Sequence, residues 1–264
     1  MRLPAVTLLL KAYDNAQLEQ VNRFLKAALE GLKIEIEPCK ITSHDWVQTV
    51  ISGEDETIAQ NYLAREIGLC PTRLESVSKF STMKGQIRGL EGGKEVVVDV
   101  GIFSPEFVTA KISTSRLQAQ LVDGRKIALI RIAELFGFSK NLPLFVKILD
   151  VDKEGRRLEA ELAEKQLTRY REWVRSMLDR LLILGASSYD VESALKREGF
   201  ERDIVNVEAL GLFDHVVTCK LGTDAVGLIP KIGRRLQSAT LTAFTPKKIL
   251  NFLGQEWNLL TFRE

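Results

Sequence analysis

The amino-acid sequence predicts an α+β protein of several domains: a small α+β sandwich, a central five-stranded β-barrel, and a helical linker that leads into a C-terminal α+β domain. Three observations predict this class. The first part of the chain alternates strand-like and helix-like periods, the middle part is a series of short β-rich runs with glycines at the turns, and the last part opens with a long amphipathic stretch. The predicted domains are therefore residues 1–79, 80–165 and 166–264.

The first domain is predicted to fold in the order βαββα. Strands come from buried or alternating apolar runs, and helices from apolar residues spaced three and four apart. These elements are expected at residues 5–13 (strand), 14–32 (helix), 33–37 (strand), 46–51 (strand) and 56–67 (helix). Asp14 or Asn15 is the expected cap of the first helix, since both side chains accept backbone hydrogen bonds at a helix start.

The middle domain is predicted to be a closed barrel. Its strands are expected near residues 83–89, 95–102, 107–112, 143–151 and 157–162. A helical stretch at 130–137 falls between the third and fourth strands, where it would plug one end of the barrel. Small barrels of this kind commonly bind single-stranded nucleic acid.

The last domain is predicted to begin with a long amphipathic helix over residues 163–184. The remaining elements are expected at 188–198 (helix), 203–210, 213–221, 225–230 and 239–244 (strands), with a final helix that begins at Pro246. Proline is favoured in the first turn of a helix, which supports that last start.

Composition predicts a cytoplasmic protein without a membrane span. The net charge is only +2, from 37 basic and 35 acidic residues, which excludes a protein that coats nucleic acid through bulk charge. Three cysteines far apart in the sequence argue against a disulfide framework and favour a reducing compartment. No apolar run reaches the roughly 18 residues of a membrane span, and the apolar start of the chain is interpreted as a buried strand rather than a signal peptide.

The barrel segment carries the candidate RNA-binding residues. Binding of a single strand needs cations along the phosphates and exposed rings for the bases. The candidates are Lys84, Arg88, Phe103, Phe107, Lys111, Phe145, Lys147, Arg156 and Arg157, with Phe80 as a further aromatic nearby. Phenylalanine in a short strand is more often a core residue, and alternate basic residues are often only a solvated face.

The same segment resembles the S-one type OB domain, which is named after a ribosomal protein. The resemblance rests on Gly85–Ile87, Val98–Phe103, Ile148–Asp152 and Arg156–Leu162. It implies an OB-like barrel that binds single-stranded or structured RNA, with Phe103 as the aromatic after the second-strand glycine. The family usually has a histidine at the start of the helical insertion, and this segment has none.

The whole chain also resembles an archaeal family described as a domain of unknown function. Ser52–Asp55 and Leu221–Ala225 carry this second resemblance. It implies an archaeal origin and no particular activity.

A second basic cluster follows near the end of the chain. Its members are Lys231, Arg234, Arg235 and Lys247, with the last at the predicted start of a helix. A phosphate could bind there, because a helix N-terminus attracts anions. The simpler interpretation is a β-hairpin turn followed by a charged loop.

Catalytic and metal-binding patterns are weak. With His44 and His215 as its two histidines, the chain offers few members for a zinc site or a histidine relay, so no metal and no cofactor are expected. A magnesium-dependent enzyme that uses Asp99, Asp150 and Asp152 is a remote alternative.

The predicted function is a non-enzymatic RNA-binding protein, associated with the ribosome or with RNA processing. The alternative is a protein-interaction scaffold, in which the barrel or the amphipathic stretch at 163–184 docks a protein partner. The oligomeric state is left open by the sequence.

Overall fold

The computed structural model of the protein describes residues 5–254. Contacts within the chain divide it into two compact units. The first unit contains the residues up to Ser76 together with Gly101–Phe107, and the second contains Val77–Val100 and the residues from Val108 onward. The predicted boundaries at 79/80 and 165/166 are not tested by this division and stay predictions.

The first unit contains one antiparallel sheet and two helices. Its elements are β1 (Ala5–Lys11), α1 (Asn15–Ala28), β2 (Ile34–Ile36), β3 (Lys40–Ile41), β4 (Trp46–Gly53), α2 (Glu56–Glu66), β5 (Thr72–Arg73) and a 3-10 turn at Leu74–Ser76. The strand order is β1-β4-β2, and β3 also pairs with β4. The predicted βαββα order is confirmed, with β3 as an additional short strand.

The sequence signals that define α1 are visible in the structure. The carboxylate of Asp14 accepts a hydrogen bond from the backbone N–H of Gln17 at 2.7 Å, which satisfies a donor that the helix leaves open. On the buried side of the helix, Val21 and Leu25 are fully enclosed. Trp46 of β4 is also fully buried, so the apolar positions of both elements lie in the interior.

The second unit begins with the barrel, apart from residues 101–104 at the end of one strand, which belong to the first unit. Its elements are β6 (Thr82–Glu91), β7 (Glu95–Ser104), β8 (Val108–Ser113), α3 (Thr114–Leu121), α4 (Leu129–Phe136), β9 (Pro143–Asp152) and β10 (Arg157–Leu162). The strands follow one another in the order β7-β6-β9-β10-β8, and a further pairing of β7 with β8 closes the ring. Because β10 is parallel to β8 and antiparallel to β9, the barrel is a mixed one. The predicted closed five-stranded barrel is confirmed.

Alternation along the strands separates the inside of the barrel from its outer wall. In β9, Leu144, Val146 and Ile148 are buried in the barrel, whereas the residues between them are half-buried and face outward. In the neighbouring β10, every second residue from Leu158 to Leu162 is likewise buried. The period-two pattern thus determines which side chains of the barrel meet the solvent.

The rest of the second unit contains a βαββαβ arrangement. Its elements are α5 (Glu164–Arg175), β11 (Arg180–Leu184), α6 (Ser188–Arg197), a 3-10 turn at Glu201–Asp203, β12 (Ile204–Ala209), β13 (Asp214–Cys219), α7 (Ala225–Arg235), β14 (Thr240–Phe244) and α8 (Pro246–Leu253). The strand order β12-β13-β11-β14 is that of a ferredoxin-like sheet. The predicted C-terminal α+β domain is confirmed, and within residues 5–254 no helix is both long and apolar enough to span a membrane.

The predicted helix over 163–184 is wrong in its second half. The helix α5 ends at Arg175, the backbone at Met177 takes a positive φ of 56°, and Arg180–Leu184 form the strand β11. This strand is hydrogen-bonded on both sides, to β13 and to β14. All its residues are buried, so an unbroken apolar run here indicates a central strand and not one face of a helix.

The predicted strand over 225–230 is also wrong, because these residues are the first turns of α7. Asp224 caps the helix by accepting a hydrogen bond from the N–H of Val226 at 3.0 Å. Ala225, Leu228 and Ile232 then recur at helical spacing and pack into the core under the sheet. The capping aspartate outweighs the glycines that suggested a turn.

Helix α5 is tied directly to strand β9 of the barrel. The backbone N–H of Phe145 donates to the Gln166 side chain at 3.2 Å, and the N–H of Ala163 donates to the carbonyl of Phe145 at 3.0 Å. Further along α5, Tyr170 stacks on Phe244 and contacts Phe136 edge to face. The position of α5 against the barrel is therefore defined by hydrogen bonds at one end and by an aromatic cluster at the other.

Candidate nucleic-acid interface

Phe80 is the most exposed aromatic side chain of the barrel segment. Its ring is 62% exposed, although its backbone N–H donates to the carbonyl of Ile148 at 2.7 Å and so holds it against β9. The Nζ atoms of Lys79 and Lys147 lie 5.5 and 5.8 Å from the ring centroid. An open aromatic face flanked by two ammonium groups is the combination that single-stranded nucleic acid requires.

A second aromatic group with cations lies along the same wall. Phe145 is two residues from Lys147 on β9 and therefore faces the same side. The Nζ of Lys165 lies 4.4 Å and the Cζ of Arg169 5.8 Å from its ring centroid, both from α5. We call the six residues of this wall the β9 stripe: Lys79, Phe80, Phe145, Lys147, Lys165 and Arg169.

The cations of the β9 stripe are only weakly neutralised. Three have a carboxylate partner at N–O distances of 3.1 to 4.0 Å: Lys79 with Asp150, Lys147 with Glu161, and Arg169 with Glu208. Exposed pairs of this kind contribute about 0–1 kcal/mol, so a phosphate can replace the carboxylate at little cost. In the described part of the chain, no carboxylate lies within ion-pair distance of Lys165.

Lys84, one of the predicted RNA contacts, points instead toward the C-terminal domain. Its Nζ donates to the carbonyl of Leu210 at 2.6 Å. Burial lowers the pKa of Lys84, Asp214 opposes this, and the like charges of Arg169 and Lys165 lower the pKa further. The ammonium group is thus engaged by the protein itself, and its charge adds to the positive potential around Phe145.

Asp214 is the acidic partner in this interior. It is 6% exposed, and burial raises its pKa to about 7 against the opposing effects of Lys84 and of a backbone hydrogen bond from Gly185. The side-chain amide of Gln86 donates to its Oδ2 at 3.4 Å. These residues join the barrel to the C-terminal sheet and do not form a surface site.

Lys111 and Arg157 line a different surface, a groove of about 740 Å³ beside β8, β10 and the start of α3. Carboxylates outnumber cations among its charged residues, which are Glu95, Lys111, Arg116, Asp150, Asp152, Arg157 and Glu159. Lys111 bridges Glu91 and Glu95 at 2.9 and 3.3 Å, which raises its pKa. The charge of this groove is therefore unfavourable for a polyanion.

The other predicted barrel contacts are dispersed. Arg88 is exposed on β6, and Arg156 occupies the β9–β10 hairpin with a positive φ of 52°. Phe103 and Phe107 both belong to the first unit, where Phe107 stacks on His44 at a centroid distance of 4.0 Å. Of the nine predicted residues, the β9 stripe includes Phe145 and Lys147.

The second basic cluster lies on two helices. Lys231 is placed over the ring of Phe200 at 5.1 Å, and Arg235 pairs with Glu198 at 2.7 Å, both from α7. Arg234 donates to the backbone carbonyl of Pro230 one turn earlier. The predicted hairpin turn is wrong here, because α7 continues through these residues. Lys247 lies on α8 and lines a separate pocket of about 250 Å³.

The three aspartates of the magnesium alternative do not share a surface. Asp99 is buried in the barrel with 1% exposure, whereas Asp150 and Asp152 are exposed on β9. Within residues 5–254, no three histidine, cysteine, aspartate or glutamate side chains are arranged to hold a metal ion. The structure gives this alternative no geometric support.

Sequence reasoning missed the cations on either side of the predicted barrel strands. Lys79 precedes β6, and Lys165 and Arg169 belong to α5, which the sequence analysis assigned to packing or partner docking. The available signal was the i, i+4 spacing of Lys165 and Arg169, which places both on one face of a helix. This spacing indicates a binding surface only when the helix is known to pack against β9.

Two solved structures show a weak likeness to the chain. The uncharacterized protein MJ1198 from Methanocaldococcus jannaschii aligns with 33% of this chain and 95% of its own length, at 12% identity and a TM-score of 0.24. The intact alpha subunit of aIF2 from Pyrococcus abyssi aligns with 64% of this chain and 96% of its own length, at 9% identity and a TM-score of 0.26. Such scores support no conclusion about fold or function. Among curated proteins, no match is found.

Two family models match the chain on either side of the barrel. The DUF2110 N-terminal domain matches residues 5–72, and the DUF2110 C-terminal domain matches residues 178–244. Together they cover about half of the chain. The archaeal origin and the S-one type resemblance are not tested by these matches and stay predictions. With both of its terminal domains matched, the chain belongs to the DUF2110 family.

Proposed function

We propose that the protein is a non-enzymatic RNA-binding protein and that the β9 stripe is its RNA-binding surface. The observation that carries the proposal is the exposed ring of Phe80 between Lys79 and Lys147. Each base stacked on such a ring contributes roughly 1–3 kcal/mol, and flanking cations bind the adjoining phosphates. Phe80 also has a positive φ of 68°, which is a strained backbone conformation for a bulky residue. Residues in strained backbone conformations occur often at functional sites.

The distribution of charge supports this wall over the β8–β10 groove. The β9 stripe has four cations, of which three have exposed or partly exposed carboxylate partners. The groove contains three bases, Lys111, Arg116 and Arg157, among four acids. A polyanion is therefore attracted to the first surface, and the proposal moves the RNA contacts from the groove to the β9 stripe.

The proposal places the protein in the cytoplasm, in association with the ribosome or with RNA processing. Cys39, Cys70 and Cys219 are all buried free thiols. Unpaired cysteines are typical of a reducing compartment, and RNA in these settings offers the single-stranded segments that a stacking ring can bind.

The test is a titration of nucleic-acid-free protein with a fluorescent single-stranded RNA at two salt concentrations. We expect Lys147→Gln to weaken binding and to reduce its salt dependence, because each phosphate contact releases counterions. Lys111→Gln is the matched control, since the two lysine side chains are 42% and 38% exposed. Absence of salt-dependent binding by the wild-type protein would refute the proposal.

Protein binding is the second candidate function, and an apolar corner of the C-terminal domain favours it. Leu221 after β13 is 76% exposed and lines one pocket together with Met177, which follows α5 and is 36% exposed. Val226, at the start of α7, is 40% exposed. Single exposed apolar residues are common, but a group at one loop is typical of a contact surface. A stoichiometric protein partner that Leu221→Ser releases, in preparations without RNA, would support this function.

A further inference from the structure

We propose that the RNA path continues from the barrel onto helix α5, where Lys165 and Arg169 bind the phosphates next to the base on Phe80. The binding surface would then be composite, built from one barrel wall and the first helix of the C-terminal domain. This inference rests on the proposed RNA binding. It adds the path that the bound RNA follows across the protein and the role of Phe145.

Phe145 acts in this site as a positioning residue and not as a stacking platform. It is only partly exposed, and Lys165 lies over its ring at 4.4 Å. The two lysines near Phe80 are farther from that ring, at 5.5 and 5.8 Å, so Phe145 offers less open surface to a base. Attraction between the cations and the ring holds both side chains over the β9 wall. Phe80, with its larger exposure, is left as the ring that receives a base.

The backbone fixes this arrangement. Phe145 is bonded through its N–H to Gln166 and through its carbonyl to Ala163, so the start of α5 cannot move independently of β9. Gln166 itself is 2% exposed, which protects the bond from water. Lys165 and Arg169 are one helical turn apart and therefore project from the same face. A site held in this way binds without first having to be ordered.

Positive charge exceeds negative charge around Phe145, at the α5 end of the β9 stripe. Lys165 has no carboxylate within ion-pair distance in the described part of the chain, and the pair of Arg169 with Glu208 is long, at 4.0 Å. Lys84 pairs with Phe145 in the register of β6 and β9 and so lies next to it on the same side of the sheet, where its ammonium group donates to Leu210 and interacts with Asp214. Lys165 and Arg169 lie over one ring, with the long pair of Arg169 and Glu208 as their compensation in the described part of the chain, and so indicate an anion site.

The distance between the two parts suits consecutive nucleotides. Phe80 lies beside Lys147, and Phe145 is two residues farther along β9, a rise of roughly 7 Å. The ammonium group of Lys165, from α5, lies over the ring of Phe145. A strand whose base stacks on Phe80 can therefore place its next phosphates against the helix.

The experiment uses the full-length protein and an oligouridylate of about 12 nucleotides, within the site size of OB folds. The variants are Lys165→Gln, Arg169→Gln and the two combined. We expect the combined variant to weaken binding roughly tenfold or more at low salt and to lower the slope of log K against log salt by about 1.4, since each single-strand phosphate contact contributes about 0.7. Lys196→Gln with Arg197→Gln, on the exposed side of α6, is the matched control and should leave both values unchanged.

A second variant tests the positioning role. Phe145→Leu keeps an apolar side chain and should weaken binding in the wild-type background but not in the combined Lys165→Gln, Arg169→Gln background, because the ring acts through those cations. Equal effects in both backgrounds would assign Phe145 a merely structural role and overturn this part of the inference. If the wild-type protein binds the oligonucleotide and the combined variant binds it equally well, the composite path is wrong while RNA binding stands. If the wild-type protein does not bind, both proposals fail.

Discussion

The exposed ring of Phe80 gives the most direct test of RNA binding by this protein. Truncation of Phe80 to alanine removes a stacking surface and leaves Lys79 and Lys147 in place. Loss of one stacked base weakens binding by roughly 1–3 kcal/mol, which is a five- to 150-fold increase in Kd. Because the ring is 62% exposed in the unbound protein, its removal should change the free energy of unfolding by less than about 1 kcal/mol.

The assay is fluorescence anisotropy with a labelled single-stranded RNA, accompanied by urea unfolding of each variant. Phe80→Trp should retain or strengthen binding, since an indole is a larger stacking surface. Tyr189→Ala is the control, because Tyr189 is 77% exposed on α6 and lies outside the β9 stripe. The salt dependence should be the same in Phe80→Ala as in the wild type, as no phosphate contact is lost. Equal affinities of Phe80→Ala and Tyr189→Ala would refute the stacking role.

Three further predictions concern the fold. The pKa of Asp214 is raised to about 7 by burial, so the folded protein keeps a proton that the unfolded chain releases above its ordinary pKa of 3.8, and stability should fall as the pH rises between these values. Between pH 4 and pH 8, the free energy of unfolding measured in urea should fall by up to a few kcal/mol in the wild type and by less in Asp214→Asn. The same pH dependence in both proteins would contradict this prediction. Gly101→Ala should cost more than about 2 kcal/mol of unfolding free energy, because φ is +79° and the new Cβ meets the Cys70 side chain. Gly124→Ala, with a φ of +73° and open space, should cost about 1 kcal/mol, so similar losses would exclude the clash as the cause. Leu182→Ala, in the fully buried centre of β11, should cost about 2–5 kcal/mol in the same measurement, and a loss below 1 kcal/mol would contradict its place in the core.

Local sequence signals are sufficient to predict an element where one physical requirement dominates its conformation. The alternation of apolar and polar residues in β9 and β10 specifies which residues line the barrel, because each strand has one buried side and one side that faces the solvent. The start of α1 was predictable from Asp14, whose side chain satisfies an open backbone donor. The barrel strands were therefore located almost to the residue, including the β9–β10 hairpin.

Tertiary packing decided the elements that the sequence analysis placed wrongly. Leu181 continues the helical spacing of α5, but the unbroken apolar run that contains it is a strand, because β13 and β14 pair with it on both sides. The helix α7 contains Gly227, Pro230 and Gly233, which locally disfavour a helix, but its apolar positions are buried in the core. Both outcomes depend on partners far away in the sequence.

The side chains of the candidate site also depend on partners that are distant in the sequence. Lys84 and Lys147 are both lysines on barrel strands, and both looked like contacts for a phosphate. In the structure, Lys84 donates to Leu210 of the C-terminal domain, whereas Lys147 lies beside the exposed ring of Phe80. Periodicity indicates that a residue faces out of the barrel, but it does not indicate what packs on that side.

The near-zero net charge of the chain is compatible with RNA binding because the charge is unevenly distributed. The β9 stripe gathers four cations around two rings, and the groove lined by Lys111 and Arg157 holds more acids than bases. Glu161 marks the division, since it contacts Lys147 of the stripe at 3.6 Å and Arg116 of the groove at 4.0 Å. A polyanion that approaches the barrel is attracted more strongly to the β9 stripe than to the groove. For the proposed RNA binding, we expect this distribution of charge to favour one orientation of a bound strand over nonspecific coating of the protein.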